Sequence, residues 1–372
     1  MRVAIDSGPL QSGHAVRGVG TYTKELIEIL KKESKRDRKL KIHSLDFGSE
    51  NLLKYDILHY PYFNPFFVTL PWRKRPKIVV TIHDLTPLIF PKHYPPGIKG
   101  RMRFLINKFL LRWVDAIITD SETSKKDIVR FLGIEENLVQ VIYLAPKSIF
   151  KKINDRKLLS SIRKKYRLPN KFVLYVGDIN YNKNVSALIS ACKIAKTPLI
   201  ICGKQALGIE TKGIEISSLQ GPKDWIRFIL GRSHPELTHY KKLLKEFTDN
   251  PYITRLGYVS DSDLVLIYNL ATLYCQPSFY EGFGLPVLEA MASGCPVIIS
   301  KTNALMEIAG GAGLNFDPDD PNDIVEKIQE VTTNAGLRVQ LIRRGKERAK
   351  EFSWKKTAEE TMKVYIRIAS RN

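Results

Sequence analysis

The amino-acid sequence predicts an α/β protein built from two doubly wound parallel sheets in series. Three observations carry this expectation. Short β-rich apolar runs alternate with amphipathic helical stretches along most of the chain, the pattern of parallel strands joined by helical crossovers. The pattern breaks around Lys151–Pro169, at a charged helix, Arg156–Tyr166, closed by a Leu-Pro-Asn turn, and then restarts. The length of 372 residues suits two domains at about 150 residues each.

Taken in order, strands are expected at Met1–Ile5, Ile57–Tyr60, Lys77–Ile82, Ala116–Thr119 and Val139–Tyr143, with helices at Thr23–Lys32, Gly100–Trp113 and Thr123–Leu132. After the break, strands are expected at Phe172–Gly177, Pro198–Cys202, Ile253–Leu256, Leu273–Gln276 and Val297–Ser300. Helices follow at Val185–Ala195, Asp263–Leu270, Pro286–Ser293 and Pro321–Thr332, and a last one at Thr357–Ile368. The expected boundaries are 1–165, 166–355 and a closing helical segment, 356–372. In open sheets of this kind ligands sit beyond the carboxyl ends of strands, so chemistry is sought just after strands.

The bulk composition, 44% hydrophobic and 26% charged, is that of a soluble globular protein. No apolar run reaches the ~18 residues of a membrane span. The start, MRVAIDSGPL, enters a strand pattern directly, so no signal peptide is expected. Cys192, Cys202, Cys275 and Cys295 lie far apart without a C-x-x-C, which fits reduced thiols in a cytosol and argues against a zinc site. The net charge of +21 attracts polyanions. It is spread evenly: residues 1–150 hold 25 Lys/Arg and 15 Asp/Glu, the remainder 34 and 23. No basic, aromatic-studded face or recognised module accompanies it, so nucleic acid is not an expected partner.

The stretch SFYEGFGLPVLEAMASG, residues 278–294, is the most informative. A strand ends before it and a helix begins inside it. Pro286 suits a first helical turn, where its missing N–H has no partner to lose. Gly282 and Gly284 permit a sharp turn and close approach of a ligand. The N–H groups of Phe283, Gly284 and Leu285 would then face outward at the positive end of the helix dipole, a site for a phosphate or diphosphate. Glu281 and Glu289 flank that anion, and carboxylates accept well from sugar hydroxyls. The plain structural alternative is a Gly-rich connector with Glu289 answering the dipole.

Other signals are weaker. Gly18 and Gly20, in Arg17-Gly18-Val19-Gly20-Thr21-Tyr22, open a helix after the first strand, but the third glycine of a dinucleotide fingerprint is absent. His83-Asp84 closes the strand Lys77–Ile82; a histidine there is either a satisfied structural group or a functional one, with Asp84 its orienting or structural partner. Asp261-Ser262-Asp263 reads as a D-x-D metal pair, but Ser260 or Asp261 as a helix N-cap is the simpler account. A further reading has Asp261 accept N–H groups of a guanine. Gly97–Trp113, GIKGRMRFLINKFLLRW, is basic and amphipathic. It either covers the first sheet with its charges in water or docks on anionic lipid.

SFYEGFGLPVLEAMASGCPVIIS resembles the signature of retaining nucleotide-sugar glycosyltransferases of family 4, the glycosyl transferases group 1 type with the GT-B fold. That signature is a Glu, seven residues and a Glu, here Glu281 and Glu289. RLGYVSDSDLVLIYNLATLYCQPS, GGAGLNFDPDDP, EFSWKKTAEET, RGVGTY and TIHDL are also similar to the family, so the resemblance covers nearly the whole chain. It implies two Rossmann-like domains facing a central cleft, the first binding the acceptor and the second the nucleotide sugar, with the last helix crossing back to the first.

The resemblance also implies roles. Glu281 would hold hydroxyls of the transferred sugar, and Phe283, Gly284 and Leu285 would offer amides to the diphosphate. Glu289 would bind the ribose, and Tyr258 and Val259 the base edge. Gly18 and Gly20 would lie against the diphosphate, and His83 beside sugar and acceptor. Lys183 would clamp the diphosphate, without the arginine many members carry after the preceding glycine, since Asp178 stands there. The implied reaction moves a hexose, mannose from GDP-mannose or glucose or N-acetylglucosamine from a UDP-sugar, to a hydroxyl of a glycan or lipid-linked glycan. Anomeric configuration is retained, and neither metal nor cofactor is expected. The expected location is the cytoplasm, at the inner face of the membrane if the basic helix docks there. The rival readings are a sugar-nucleotide epimerase on the same fold and a basic nucleic-acid- or membrane-binding protein without transferase activity.

Overall fold

In the computed structural model, which describes residues 1–11, 18–35, 40–48, 51–72, 76–209 and 235–370, the strand-forming runs build two parallel sheets. The first contains β1 (Arg2–Asp6), β2 (Lys41–Leu45), β3 (Ile57–Tyr60), β4 (Lys77–Thr81), β5 (Ala116–Thr119) and β6 (Val139–Val141), in the order β2-β1-β3-β4-β5-β6. The second contains β7 (Val173–Val176), β8 (Leu199–Cys202), β9 (Ile253–Gly257), β10 (Leu273–Gln276), β11 (Val297–Ser300) and β12 (Leu314–Phe316), in the order β12-β11-β10-β7-β8-β9. Central strands such as β3, β5, β8 and β10 are buried at every residue. A strand covered on both faces reads as a continuous apolar run, which is why the sequence reveals them. Each fully buried Ile, Leu or Val contributes about 1.5–3 kcal/mol to holding its sheet. The expected α/β class with two doubly wound sheets is what the chain adopts.

β2 and β12 lie outside the sequence expectation. β2, KIHSL, is an edge strand, exposed or half-buried throughout, so it lacks the apolar run that marks the others. β12 has only three residues, too few for a period.

The chain divides into two compact units: Met1–Ile89, Pro96–Ala145 and Phe352–Asn372 form one, and Phe90–Pro95 with Pro146–Glu351 the other. The helix Arg156–Lys165, placed by the sequence at the end of the first domain, groups with the second unit. Its Lys165 and the following Tyr166 both bond to Asp263, at 2.6 and 2.7 Å. The last helix, Trp354–Ala369, belongs to the first unit. Thr357 Oγ1 donates to the Tyr143 carbonyl at 2.7 Å, and the Tyr365 hydroxyl lies 2.6 Å from His59 Nδ1. His59 is fully buried between Tyr365 and Thr81. Burial, with the nearby charge of His83, lowers its pKa to about 3, so it holds the helix as a neutral ring.

In the second unit, the helices Val185–Ile194 and Pro321–Thr333 pack Val185, Leu188, Ile324 and Ile328 against Val173, Tyr175 and Leu273 of the sheet. The four cysteines are buried free thiols. Among the described residues no helix is long and apolar enough to cross a membrane.

Candidate functional site

In the second sheet the chain runs outward from β7 through β8 to β9, then returns to β10 beside β7 and runs the other way. The connections leaving β7 and β10 therefore part in opposite directions. That topological switch opens a crevice beyond the carboxyl ends of the two strands. The loop after β7 carries Lys183, and the loop after β10 carries Glu281.

Backbone and side-chain bonds stitch these loops together. Phe279 N–H donates to the Asn182 carbonyl at 2.8 Å, and Asn182 Nδ2 donates to the Tyr280 carbonyl at 3.2 Å. From the other side, the Tyr240 hydroxyl donates to Asn180 Oδ1 at 2.7 Å, and His239 Nε2 lies 2.9 Å from the Ile179 carbonyl. Lys183 closes a tight turn, Tyr181–Lys183, ahead of the left-handed Asn184 (φ 51°). The result sets Lys183 Nζ 2.8 Å from each carboxylate oxygen of Glu281. Glu281 Oε1 also accepts from Ser278 Oγ at 2.6 Å and Gln276 Nε2 at 2.8 Å. The Tyr274 hydroxyl in turn bonds to Gln276 Oε1. Glu281 is thus aimed by three donors, and Lys183 is both its counterion and the cation of the crevice.

Beside the pair begins the helix Leu285–Ala292. Its cap residue, Gly284, has φ +102°, and an added Cβ would sit 2.6 Å from Leu305 Cδ2, so only glycine suits both the conformation and the space. Pro286 occupies the first turn, and Val287 N–H bonds back to the Gly284 carbonyl at 2.9 Å. Helix geometry leaves the Gly284 and Leu285 N–H groups without an intrahelical acceptor, at the positive end of the dipole. Phe283 is buried just ahead of them.

Glu289 follows on the same helix and is buried. Its carboxyl accepts from the Tyr268 hydroxyl at 3.3 Å. Burial first, and then the charge of Asp261, raise its pKa to about 7 against the opposing pull of Lys147 and Tyr268. Glu289 therefore changes charge near neutral pH. Asp261 is itself paired with Lys147 at 2.7 Å. Tyr258 is exposed and Val259 buried, both just past β9. Ser260 caps the helix Asp261–Leu270, accepting from Asp263 N–H. The two carboxylates of the D-x-D run are committed to different partners, Asp261 to Lys147 and Asp263 to Lys165 and Tyr166.

In the first unit, the helix Gly18–Ser34 starts with Gly18 and Gly20 as its first and third residues; Arg17 lies outside the described residues. His83 follows β4. Its Nδ1 is 2.6 Å from Asp120 Oδ2, and its Nε2 is 3.1 Å from the Pro61 carbonyl. The expected partner, Asp84, is corrected by this geometry. Asp84 Oδ1 accepts from the Thr86 N–H at 2.9 Å and holds the turn into the helix Thr86–Ile89. Asp120, at the end of the neighbouring strand β5, bonds to the ring instead. Burial disfavours the charged imidazole, but the carboxylates of Asp120 and Asp84 and the Pro61 carbonyl outweigh it and raise the His83 pKa.

Sequence reasoning missed Asp120, Gln276, Ser278, Asn182 and Lys147. Asp120, Asn182 and Ser278 follow strand ends, the signal already applied to His83. Gln276 ends an expected strand and reads as core. Lys147 is one of 59 Lys/Arg, and its place beside Asp261 has no local mark.

Comparison with known proteins adds an independent line. A family model described as glycosyl transferases group 1 matches residues 160–348, and one for glycosyltransferase family 4 matches residues 33–145. The O-antigen chain mannosyltransferase B of Escherichia coli is 31% identical over 313 residues, 83% of this chain and 75% of that protein. The serotype-specific mannosyltransferase WbdA of Escherichia coli is 27% identical over 301 residues, 80% of this chain but 34% of that protein. The chain thus spans about a third of the longer relative. Among solved structures, sucrose-phosphate synthase from Thermosynechococcus elongatus superposes with a TM-score of 0.71 at 19% identity, covering 100% of both chains. Anabaena Alr3699/HepE in complex with UDP-glucose gives 0.67 at 17% identity, covering 98% of this chain and 99% of the other. At such identities the structures establish the shared GT-B fold.

Proposed function

We propose that this chain, which belongs to the glycosyl transferases group 1 and is therefore a glycosyltransferase, moves mannose from GDP-mannose to a hydroxyl of a glycan or lipid-linked glycan, with retention of anomeric configuration. The observation that carries the reading is the Lys183–Glu281 pair at the switch point, next to the entrance of the helix Leu285–Ala292. The names of the mannosyltransferase relatives support the choice of sugar.

The chemistry places its main demand on the leaving group. As the bond between the anomeric carbon and the phosphate oxygen breaks, the electron pair passes to the diphosphate and the sugar gains oxocarbenium character. A preorganised cation and N–H donors stabilise that charge without reorganising. We assign this work to Lys183 and to the amides of Phe283, Gly284 and Leu285. Lys183 exchanges Glu281 for phosphate oxygens, and Glu281 is then released to accept from sugar hydroxyls. The acceptor oxygen bonds to the anomeric carbon on the face the phosphate leaves, and its proton goes to the leaving phosphate. Glu289 takes the ribose hydroxyls, while Tyr258, Val259 and Asp261 take the base.

His83 serves the sugar and acceptor side. Its 3.1 Å contact with the Pro61 carbonyl is the bond a sugar hydroxyl would replace. Neither a metal nor a cofactor enters the scheme. Nucleotide sugars and a lipid-linked acceptor meet at the cytoplasmic face of a membrane, where we place the reaction.

The test offers GDP-mannose, UDP-glucose and UDP-N-acetylglucosamine, with and without a mannose-containing acceptor. Nucleotide release is followed, and product configuration is read by NMR. The expected result is GDP release that requires acceptor, with the donor's configuration in the product. Preference for a uridine nucleotide overturns the donor, an inverted product overturns retention, and release without acceptor turns the reading toward an epimerase or hydrolase.

A further inference from the structure

We infer that the helix Gly97–Leu110 and the loop 64–72 of the first unit form a docking surface for an anionic lipid bilayer. The helix has two apolar sides. One faces the core: Gly100, Asn107 and Leu110 are buried, and Phe104 and Ile106 pack against the cluster beneath the first sheet. The other faces water: Ile98, Met102, Leu105 and Phe109 are 45% to 66% exposed. Their spacing, i, i+4, i+7 and i+11, puts them in one stripe. A helix that merely covers a sheet turns its apolar stripe inward and leaves charge outside. This one leaves large apolar groups where water must solvate them.

The neighbouring loop extends the patch. Phe67, Val68 and Trp72 are 40% to 60% exposed. The buried Asn107 fastens this loop to the helix, its Nδ2 lying 3.1, 3.0 and 2.8 Å from the carbonyl oxygens of Asn64, Pro65 and Phe67, which share its two N–H groups. The Arg103 guanidinium lies 5.5 Å from the centre of the Phe67 ring. Helix and loop therefore present their apolar groups as one fixed surface. An exposed tryptophan beside aliphatic groups is also the composition of a water–lipid boundary.

Charge selects the occupant. Gly97–Trp113 carries Lys99, Arg101, Arg103, Lys108 and Arg112 and no acidic residue. Long basic side chains can keep their heads among lipid phosphates while their stems lie along apolar surface. One-sign charge flanking an outward apolar stripe fits an interfacial helix on anionic headgroups. The docking stands apart from the proposed reaction; together they would bring the enzyme to a lipid-linked acceptor.

The test sediments the full chain with vesicles of phosphatidylcholine alone or mixed with phosphatidylglycerol, across a salt series. The expected result is pelleting with the anionic vesicles at low salt, at least about tenfold above neutral vesicles. Combining Ile98→Ser, Met102→Ser and Leu105→Ser should abolish it at every salt concentration with thermal unfolding unchanged, since these side chains are 59% to 66% exposed. Lys99→Gln with Arg101→Gln should weaken it chiefly at low salt. Absence of pelleting with anionic vesicles, or equal pelleting of the triple variant, overturns the inference. So does a dimer that vanishes in the triple variant without lipid binding, which would give the face to a second copy. Activity on a water-soluble acceptor should survive in all these variants, so a failed transferase assay leaves the lipid result standing.

Discussion

Lys183–Glu281 in the second unit and His83–Asp120 in the first are both short charge pairs at the carboxyl end of a sheet, and they are built differently. Lys183–Glu281 joins the ends of two loops that part at a switch point, with side chains 22% and 10% exposed. The ammonium meets both carboxylate oxygens equally, and Gln276 and Ser278 keep hold of Glu281. Such a pair can give up its cation to a ligand because the carboxylate retains other donors. His83–Asp120 joins the ends of adjacent strands and is more enclosed, 15% and 3% exposed. Asp120 Oδ1 is buried with no hydrogen-bond partner among the described residues, so the charge of Asp120 depends on His83. The first pair suits exchange of partners, and the second suits holding a proton in place. The contrast comes from the number of other bonds each carboxylate keeps when its cation leaves.

The strongest way to break this comparison is Lys183→Ala. Losing one preorganised donor to a leaving group typically costs about 3 kcal/mol of barrier, roughly two decades of rate, and nucleotide-release assays should show a fall of that order. Adding Glu281→Ala should restore thermal stability, because no lone buried carboxylate remains, yet turnover should stay low. Recovery of turnover in the double variant would make the pair structural only.

Asp120→Asn should come next, at about tenfold in turnover. Asp120 raises the His83 pKa, so its loss should move the His83 limb of the pH–rate profile to lower pH. An unmoved profile would separate His83 from the chemistry.

Glu289→Gln sharpens the comparison within the second unit. The donor KM should rise about tenfold with kcat changed far less, as for a group that binds ribose rather than the reacting atoms. Glu289 ionises at about 7. Donor affinity of the unaltered protein should therefore fall as pH drops through that value and the carboxylate is lost. The Gln variant should be flat there, as isothermal titration at several pH values can show.

The smallest effect belongs to Thr357→Val, which removes the hydrogen bond from the last helix to Tyr143. Chemical denaturation should report about 1 kcal/mol of lost stability, with donor binding unchanged.

Much of the fold is legible in the sequence where a run is buried on both sides. ILHY, AIIT, LIIC and LYCQ each announce a strand without help from their surroundings. The edge strand KIHSL does not, since half its side chains would read the same in a loop. The entrance at Gly284 is legible as well, because a left-handed cap and a proline in the first turn are local requirements written in residue type. The supports of Glu281 are not, because hydrogen bonds from Gln276 and Ser278 depend on how a loop curls back.

By itself the sequence determined two parallel-sheet halves, the glycine-capped helix with Glu281 ahead of it and Glu289 within it, and the place of Lys183 after a strand. All of these follow from local period and backbone chemistry. Only the tertiary structure decided that Asp120 rather than Asp84 bonds to His83, and that Lys183 reaches Glu281 across the switch point. It also decided which way the apolar stripe of Gly97–Leu110 faces. A helical period reports that a face is apolar, but its direction is set by what packs on the opposite side, and partners brought together by sheet pairing leave no mark at the spacing where a sequence can be read.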